Sequence, residues 1–259
     1  MTIASLLEPI SGQPGPVRLS RSLDWMQGRT LYGGASALVA FTMAKRAFPD
    51  LPPLRSAQIG FVAPVGEEVE LTAKIIRQGR NVTQVRSEIH SDKGVALTAF
   101  WLFAEGREPN GQQPAPSPEN WPGLPQENPR AMEGKGPTFI QNNFELRYGQ
   151  TKGEDHGATI RRWARLTEKH ELDPVSKLVL MGDVMPPGAM RVMRRPGPIS
   201  SINWSFNILD PDSESKDGWY LAENASQHLN HGYSSERLRM YDVEGSQVLD
   251  GLQSVAVFG

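Results

Sequence analysis

A run of prolines near the middle of the chain decides how the rest can fold. Seven prolines fall between Pro109 and Pro129, with Gly, Asn, Gln and Ser filling most of the gaps. Proline lacks the N–H that a ladder needs and breaks a helix, so the stretch reads as an extended linker. This gives segments of 1–108 and 137–259 joined by a linker of 109–136. The two segments follow one plan. In the first, Gly33 to Phe48 (GGASALVAFTMAKRAF) puts Ala35, Leu38, Val39, Thr42 and Met43 at helical spacing. Lys45 and Arg46 suit a helix C-terminus, and Pro49 stops it. Four strand-like runs follow: Leu54–Val62, Val69–Arg77, Val82–His90 and Val95–Phe103.

The second segment opens with strands at Phe139–Tyr148 and Ile160–Leu166. Asp173–Pro174 is an N-cap followed by a helix-starting proline, and the helix is predicted to run to Val184, ahead of Pro186–Pro187. Four more runs complete the segment: Ile199–Leu209, Trp219–Gln227, Ser235–Val243 and Gln247–Phe258. One helix on a curved antiparallel meander buries a single face. Two such units side by side bury more, so an α+β fold of two repeats is expected. One irregular α+β domain is the plainer alternative.

Composition removes whole classes of chemistry. With 259 residues and 38% apolar content the chain can build a sizeable core, which excludes disorder along its whole length. Lys plus Arg number 27 against 29 acidic residues, so neither nucleic acid nor an anionic membrane is an expected partner. No apolar run approaches the roughly 20 residues that span a bilayer. Met1–Gly15 carries Glu8 and two prolines and lacks the basic region of a secretory signal, so a cytoplasmic location is expected. Cysteine is absent, which eliminates disulfides, thiolate nucleophiles and cysteine-based metal sites. The five histidines are scattered; His228 and His231 lie close, in a strand-like run that would put them on opposite faces. No metal and no cofactor is expected.

Candidate chemistry rests on a few positions. At about 100° per residue, Val175, Leu178, Val179 and Gly182 share one helical stripe, with Asp183 on its edge. A carboxylate bordering a buried face loses hydration, which raises its pKa from about 3.9 and makes it a better base near neutral pH. The alternative is a helix-end residue turned to water. The first helix contains no Asp or Glu, so the repeats differ where an acid would matter. In Ile199–Leu209, Ile202, Trp204, Phe206 and Ile208 share one parity, which puts Ser201 on the opposite, polar face with Asn203, Ser205 and Asn207. In the last run Gln253 shares its parity with Leu249, Val255 and Val257. Leaving such an amide unpaired costs about 1–3 kcal/mol, so it must find partners, and a structural hydrogen bond would suffice. Ser36 reads as a packing residue, and the basic clusters Arg77/Arg80 and Arg191/Arg194/Arg195 as solvated faces that could meet phosphates.

A resemblance adds to these residues. YGG (Tyr32–Gly34) opening the long helix, FVAPVGE (Phe61–Glu67), RQGRNVT (Arg77–Thr83) and TAFWLF (Thr98–Phe103) succeed one another as in the N-terminal repeat of the acyl-CoA thioesterase II family. The similarity covers most of the chain. It implies a double hot-dog, two fused repeats that each wrap a long helix in an antiparallel sheet. It also implies catalytic residues from the second repeat. The family's helix aspartate falls on Asp183. Its hydroxyl falls on Ser201, from the match of SINWSF to T-I-D-H-x-M, and its glutamine on Gln253 in GLQSV. Gly33 and Gly34 correspond to the helix-start donors common in hot-dog proteins and, with Arg55, are expected to bind substrate. The family's Asp-His pair is Asn203–Trp204 here, its Thr is Ser201, and a one-residue slip would put the hydroxyl on Ser200.

The implied activity is hydrolysis of an acyl-CoA thioester by water that Asp183 activates and Ser201 and Gln253 hold. Homo-oligomer formation is implied as well. One rival is a non-catalytic acyl-CoA-binding double hot-dog protein. Another is an enoyl-CoA hydratase of the same fold, which needs a histidine–acid pair; no histidine lies between His170 and His228, and Gly188 stands five residues past Asp183.

Overall fold

The structure, a computed structural model, describes residues 3–150, 156–168 and 172–258; His170 lies outside them. The first half holds α1 (Ile3–Leu7), β1 (Gly15–Arg18), the short pair β2 (Met26–Gln27) and β3 (Thr30–Leu31), and the long helix α2 (Gly33–Ala47). Strands β4 (Leu54–Phe61), β5 (Glu68–Gln78), β6 (Val82–Ser91) and β7 (Gly94–Ala104) follow. The second half has α3 (Thr138–Asn143), β8 (Phe144–Tyr148), β9 (Thr159–Leu166) and α4 (Pro174–Met181). Its meander is β10 (Ile199–Ile208), β11 (Tyr220–Asn230), β12 (Tyr233–Tyr241) and β13 (Gln247–Val257). α2 and α4 are thus each followed by four strands, the α+β repeat expected.

A single antiparallel sheet of eleven strands runs through both halves in the order β1-β5-β6-β7-β4-β10-β13-β12-β11-β9-β8. β4 and β10 meet at its centre, Asn203 opposite Gly60 and Asn207 opposite Ser56. Outward from that seam the order is the same on both sides, so β9 serves the second repeat as β1 serves the first.

The two main helices pack against each other inside the curve of the sheet. They run antiparallel, with Lys45 Nζ 2.7 Å from Asp173 Oδ2 at one end and the Tyr32 hydroxyl donating to the Leu180 carbonyl at the other. With sheet on one side and α2 on the other, α4 buries Val175, Ser176 and Leu178–Met181 rather than the single stripe expected. The helix also stops at Met181, with Gly182 as its cap, short of the predicted Val184.

Two further readings change. Residues 138–143 are helical, so the strand expected from Phe139 begins at Phe144. The Phe139 ring stacks on Tyr32 at 4.2 Å, and the Asn143 amide donates to the Phe139 and Asp24 carbonyls, contacts that fix this turn against the first half. His231 sits past the end of β11 in a left-handed turn (φ 50°), so it does not share a strand with His228. The proline-rich stretch has no strand or helix from residue 105 to 124 and is exposed over 105–117. It touches the second half where Trp121 meets Trp163 edge-on at 5.3 Å and Arg161 donates to the Glu119 and Asn120 carbonyls.

Among the described residues no helix is long and apolar enough to cross a membrane, and no group of three His, Cys, Asp or Glu could hold a metal ion. The Trp101 indole donates to Ser87 Oγ at 2.8 Å, and that hydroxyl donates to the Ala40 carbonyl at 2.8 Å, tying sheet to α2. Ser87→Ala leaves the buried Trp101 indole N–H unpaired and removes the second bond of the Ala40 carbonyl. It is expected to lower the unfolding free energy by about 1–3 kcal/mol, read from a urea titration; an unshifted midpoint would refute this.

Candidate active site

Asp183 owes its place to the way α4 ends. The Gly182 N–H closes the last turn on the Leu178 carbonyl at 2.9 Å, and the Val184 N–H bonds back to Met181 at 3.0 Å. A Cβ at Gly182 would lie 2.6 Å from the Trp204 indole, so glycine lets the helix end rest flat on that ring.

The carboxyl then meets the N-terminus of α2. A Cβ at Gly33 would stand 2.1 Å from Asp183 Oδ2, and one at Gly34 would stand 2.0 Å from the Leu180 carbonyl oxygen. The N-cap of α2, Tyr32, makes no side-chain cap bond, which leaves first-turn N–H groups for other partners. Gly34 N–H donates to Asp183. From β13, the buried Gln253 donates its Nε2 to Asp183 Oδ1 at 2.7 Å.

Asp183 keeps a sliver of exposure, yet its carboxyl is enclosed, and enclosure sets the sign of its titration. Lost hydration pushes the pKa from 3.8 up to about 7, against the downward pull of the Gln253 amide and the Gly34 N–H. The Tyr32 phenol is driven well above its ordinary value by burial and by the nearby Asp183 charge, so it stays protonated and keeps its bond to Leu180.

Ser201 lies on the other face from the one its parity suggests. The β10–β13 register steps between Ser201 and Asn203, leaving Ile202 as the extra residue of a bulge. Asn203 Oδ1 accepts the Ser254 N–H at 3.1 Å there. Before the step Ser201 pairs with Val255, and after it Trp204 pairs with Gln253, so both face inward with those residues. Ser201 is thus a diagonal neighbour of Gln253, about 7–8 Å away by ordinary sheet spacing. Among the described residues its hydroxyl makes no hydrogen bond. Ser200 points the opposite way and is exposed.

Gly33, Gly34, Asp183 and Gln253 are therefore brought into contact, and Ser201 onto the same face. Arg55 is not part of this group. It is the extra residue of a bulge in β4, and its Nε donates to the Ala104 carbonyl at 2.9 Å. Ile59 is in register with Trp204, hence with Gln253, and four strand residues separate Arg55 from it by about 13 Å. Tyr32, Gly182 and Trp204 position the site without having been singled out for it; the signals were an uncapped tyrosine before Gly-Gly and a glycine just ahead of the acid.

A carboxyl that titrates near neutrality, with an amide and a helix N-terminus as its donors, can take a proton from water. Comparison with known proteins identifies the reaction. Residues 21–104 match the family description "Acyl-CoA thioesterase N-terminal domain" and residues 109–257 match "Acyl-CoA thioesterase C-terminal domain". The chain belongs to the acyl-CoA thioesterase family. It is an acyl-CoA thioester hydrolase.

Solved structures share the thioesterase's double hot-dog fold. A conserved protein of unknown function with hot dog fold from Alicyclobacillus acidocaldarius superposes with a TM-score of 0.83 at 19% identity, over 96% of this chain and 97% of that one. The TesB protein of Mycobacterium avium subsp. paratuberculosis gives 0.71 at 16% identity, over 98% and 100%. The acyl-CoA thioesterase II TesB2 of Mycobacterium marinum gives 0.68 at 16% identity, over 99% and 98%. No curated protein matches the chain by sequence.

The raised pKa has a consequence for stability. Between about pH 4 and 7 the folded carboxyl holds a proton that the unfolded one has released, so its contribution to stability falls as pH rises through that window. The melting temperature of Asp183→Asn minus that of wild type is expected to increase from pH 5 to pH 8. A difference that is flat or decreasing contradicts the buried, proton-holding carboxyl.

Proposed function

We propose that the thioesterase uses water as its nucleophile and Asp183 as the base. The observation that carries this reading is the 2.7 Å contact between Asp183 and Gln253, which are 70 residues apart in sequence. It joins a carboxyl of near-neutral pKa to an amide able to orient a solvent molecule. The water oxygen attacks the thioester carbonyl carbon as Asp183 takes its proton. The C–S bond then breaks, and the proton passes from Asp183 to the leaving CoA thiolate. Ser201 and Gln253 hold the water. Gly34 N–H already serves Asp183, so the oxyanion falls to Gly33 at the same helix start, where dipole and free donors coincide.

Water is preferred to Ser201 as nucleophile because the Ser201 hydroxyl has no base bonded to it among the described residues. A non-catalytic acyl-CoA binder gains nothing from an acid kept in a site that resists its charge. The reading keeps residues 1–108 as the repeat that supplies the helix N-terminus and 137–259 as the repeat that supplies the acid and amide. It also keeps a cytoplasmic homo-oligomer acting in lipid metabolism, for which family membership is the support.

Free-CoA release by Asp183→Asn is expected to drop by roughly 10²–10⁴-fold, the usual worth of a positioned general base. Ser201→Ala and Gln253→Ala should each lose about tenfold, one hydrogen bond's share. The wild-type kcat should climb with pH through a midpoint near 7. Asp183→Asn within threefold of wild type rejects Asp183 as the base.

A further inference from the structure

The chain leaving Asp183 is clamped to the sheet by side chains to which the reaction gives no part. Glu236 in β12 is fully buried. It accepts the N–H of Gly188 at 2.8 Å and of Ala189 at 3.2 Å, and also takes the Ser234 hydroxyl. Those two N–H groups open the 3-10 turn Gly188–Arg191. Asn224 in β11 donates to the carbonyls of Met185 at 3.1 Å and Pro186 at 3.3 Å. Gly188 lies flat on the strands beneath: a Cβ there would come within 2.1 Å of the Ala158 carbonyl oxygen and 2.7 Å of the Ser226 nitrogen. Between Asp183 and the turn, Val184 and Met185 are buried and the two prolines have φ fixed by their rings, so the connector is stiff.

Among the described residues Glu236 accepts from neutral donors only. An apolar side chain of the same size would fill the space but leave those backbone N–H groups unpaired, so the carboxylate is there to hold the turn. Its place in the sheet supplies a reason for it. Glu236 is directly opposite Gln253 in the β12–β13 register, so the two side chains are neighbours on the inward face. One grips the Asp183 carboxyl, and the other grips the backbone five residues further on.

We propose that Glu236 is a positioning residue for Asp183, pinning the Val184–Ala189 connector while its cross-strand neighbour Gln253 holds the carboxyl. This rests on the reading of Asp183 as the base. Glu236→Gln keeps the shape and replaces one acceptor oxygen with an amide that opposes a backbone N–H. It is expected to lower kcat at least tenfold while KM for the same acyl-CoA stays within threefold. Ser87→Ala, which loses buried hydrogen bonds remote from the connector, is expected to lose stability and keep its kcat, and so measures what instability alone does.

A wild-type kcat in folded Glu236→Gln overturns the proposal, as does an equal loss of kcat in Ser87→Ala. Where Glu236→Gln does not fold, Asn224→Ala removes the other clamp. A severalfold loss of kcat at unchanged KM in that variant then supports the proposal, and a wild-type kcat overturns it. Asp183→Asn is run in the same assay. If it stays active the base reading fails, whereas an inactive Asp183→Asn beside a fully active Glu236→Gln removes Glu236 alone.

Discussion

The contact on which this thioesterase depends is between a carboxylate in one repeat and a helix N-terminus in the other. Opposing effects meet there. Enclosure favours the protonated acid, while the Gln253 amide, the Gly34 N–H and the α2 dipole favour the anion. Raising the group from 3.8 to about 7 corresponds to a bias on the order of 4 kcal/mol against charge. That bias is what remains after the donors have acted, so the lost hydration outweighs them. The balance requires close approach. Any side chain at residue 33 would displace the carboxyl, and the Tyr32–Leu180 bond fixes the helix ends at the same point.

The opposite end of the helix pair shows how strongly surroundings set the role of an acid. Asp173 caps α4 and bonds Lys45 at the C-terminus of α2. Burial pushes its pKa upward too, but the Lys45 ammonium and the Ser176 hydroxyl and N–H outweigh that, and the carboxyl is held below its ordinary value. One antiparallel pair of helices thus carries an ionised structural acid at one end and a near-neutral acid at the other. The repeats contribute different groups, α2 the donors, and the end of α4 and β13 the acid and its amide. Neither half alone holds the complete set, and the β4–β10 seam keeps the two in register.

Much of this was legible in the sequence because hydrophobic periodicity reports elements that bury one face. The long helix, the two meanders and the anomalous parity of Gln253 follow from it, and the border position of Asp183 pointed to desolvation. Ser201 shows where periodicity stops. Its alternation with Trp204 was read through an unseen bulge, whose cause is a side chain substituting for a ladder partner: Asn203 capturing the Ser254 N–H. Hydropathy does not register that exchange, and only the family pattern picked out the serine. Residues 138–143 were misread for a similar reason, since Phe139 is apolar in either conformation and its helix is set by stacking on Tyr32 from the other half. Arg55 likewise offered no local sign of the bulge that directs its guanidinium to Ala104.

The departure from the family's Asp-His pair can be interpreted from where those residues lie. Asn203 stabilises the bulge that turns Ser201 inward, and Trp204 forms the floor beneath Gly182. Neither hydrogen-bonds to Asp183, so the changes fall on the scaffold around the carboxyl, and on the proposed mechanism the proton route rests on Asp183. Thioester hydrolysis tolerates that economy. A thiol of pKa about 8.5 leaves readily as the thiolate, so the reaction needs a base for water and a donor for the oxyanion but no strong acid for the leaving group. Hydration of an enoyl thioester would need an acid and a base together. One acid poised near neutrality, without a histidine partner among the described residues, suits the first reaction and not the second.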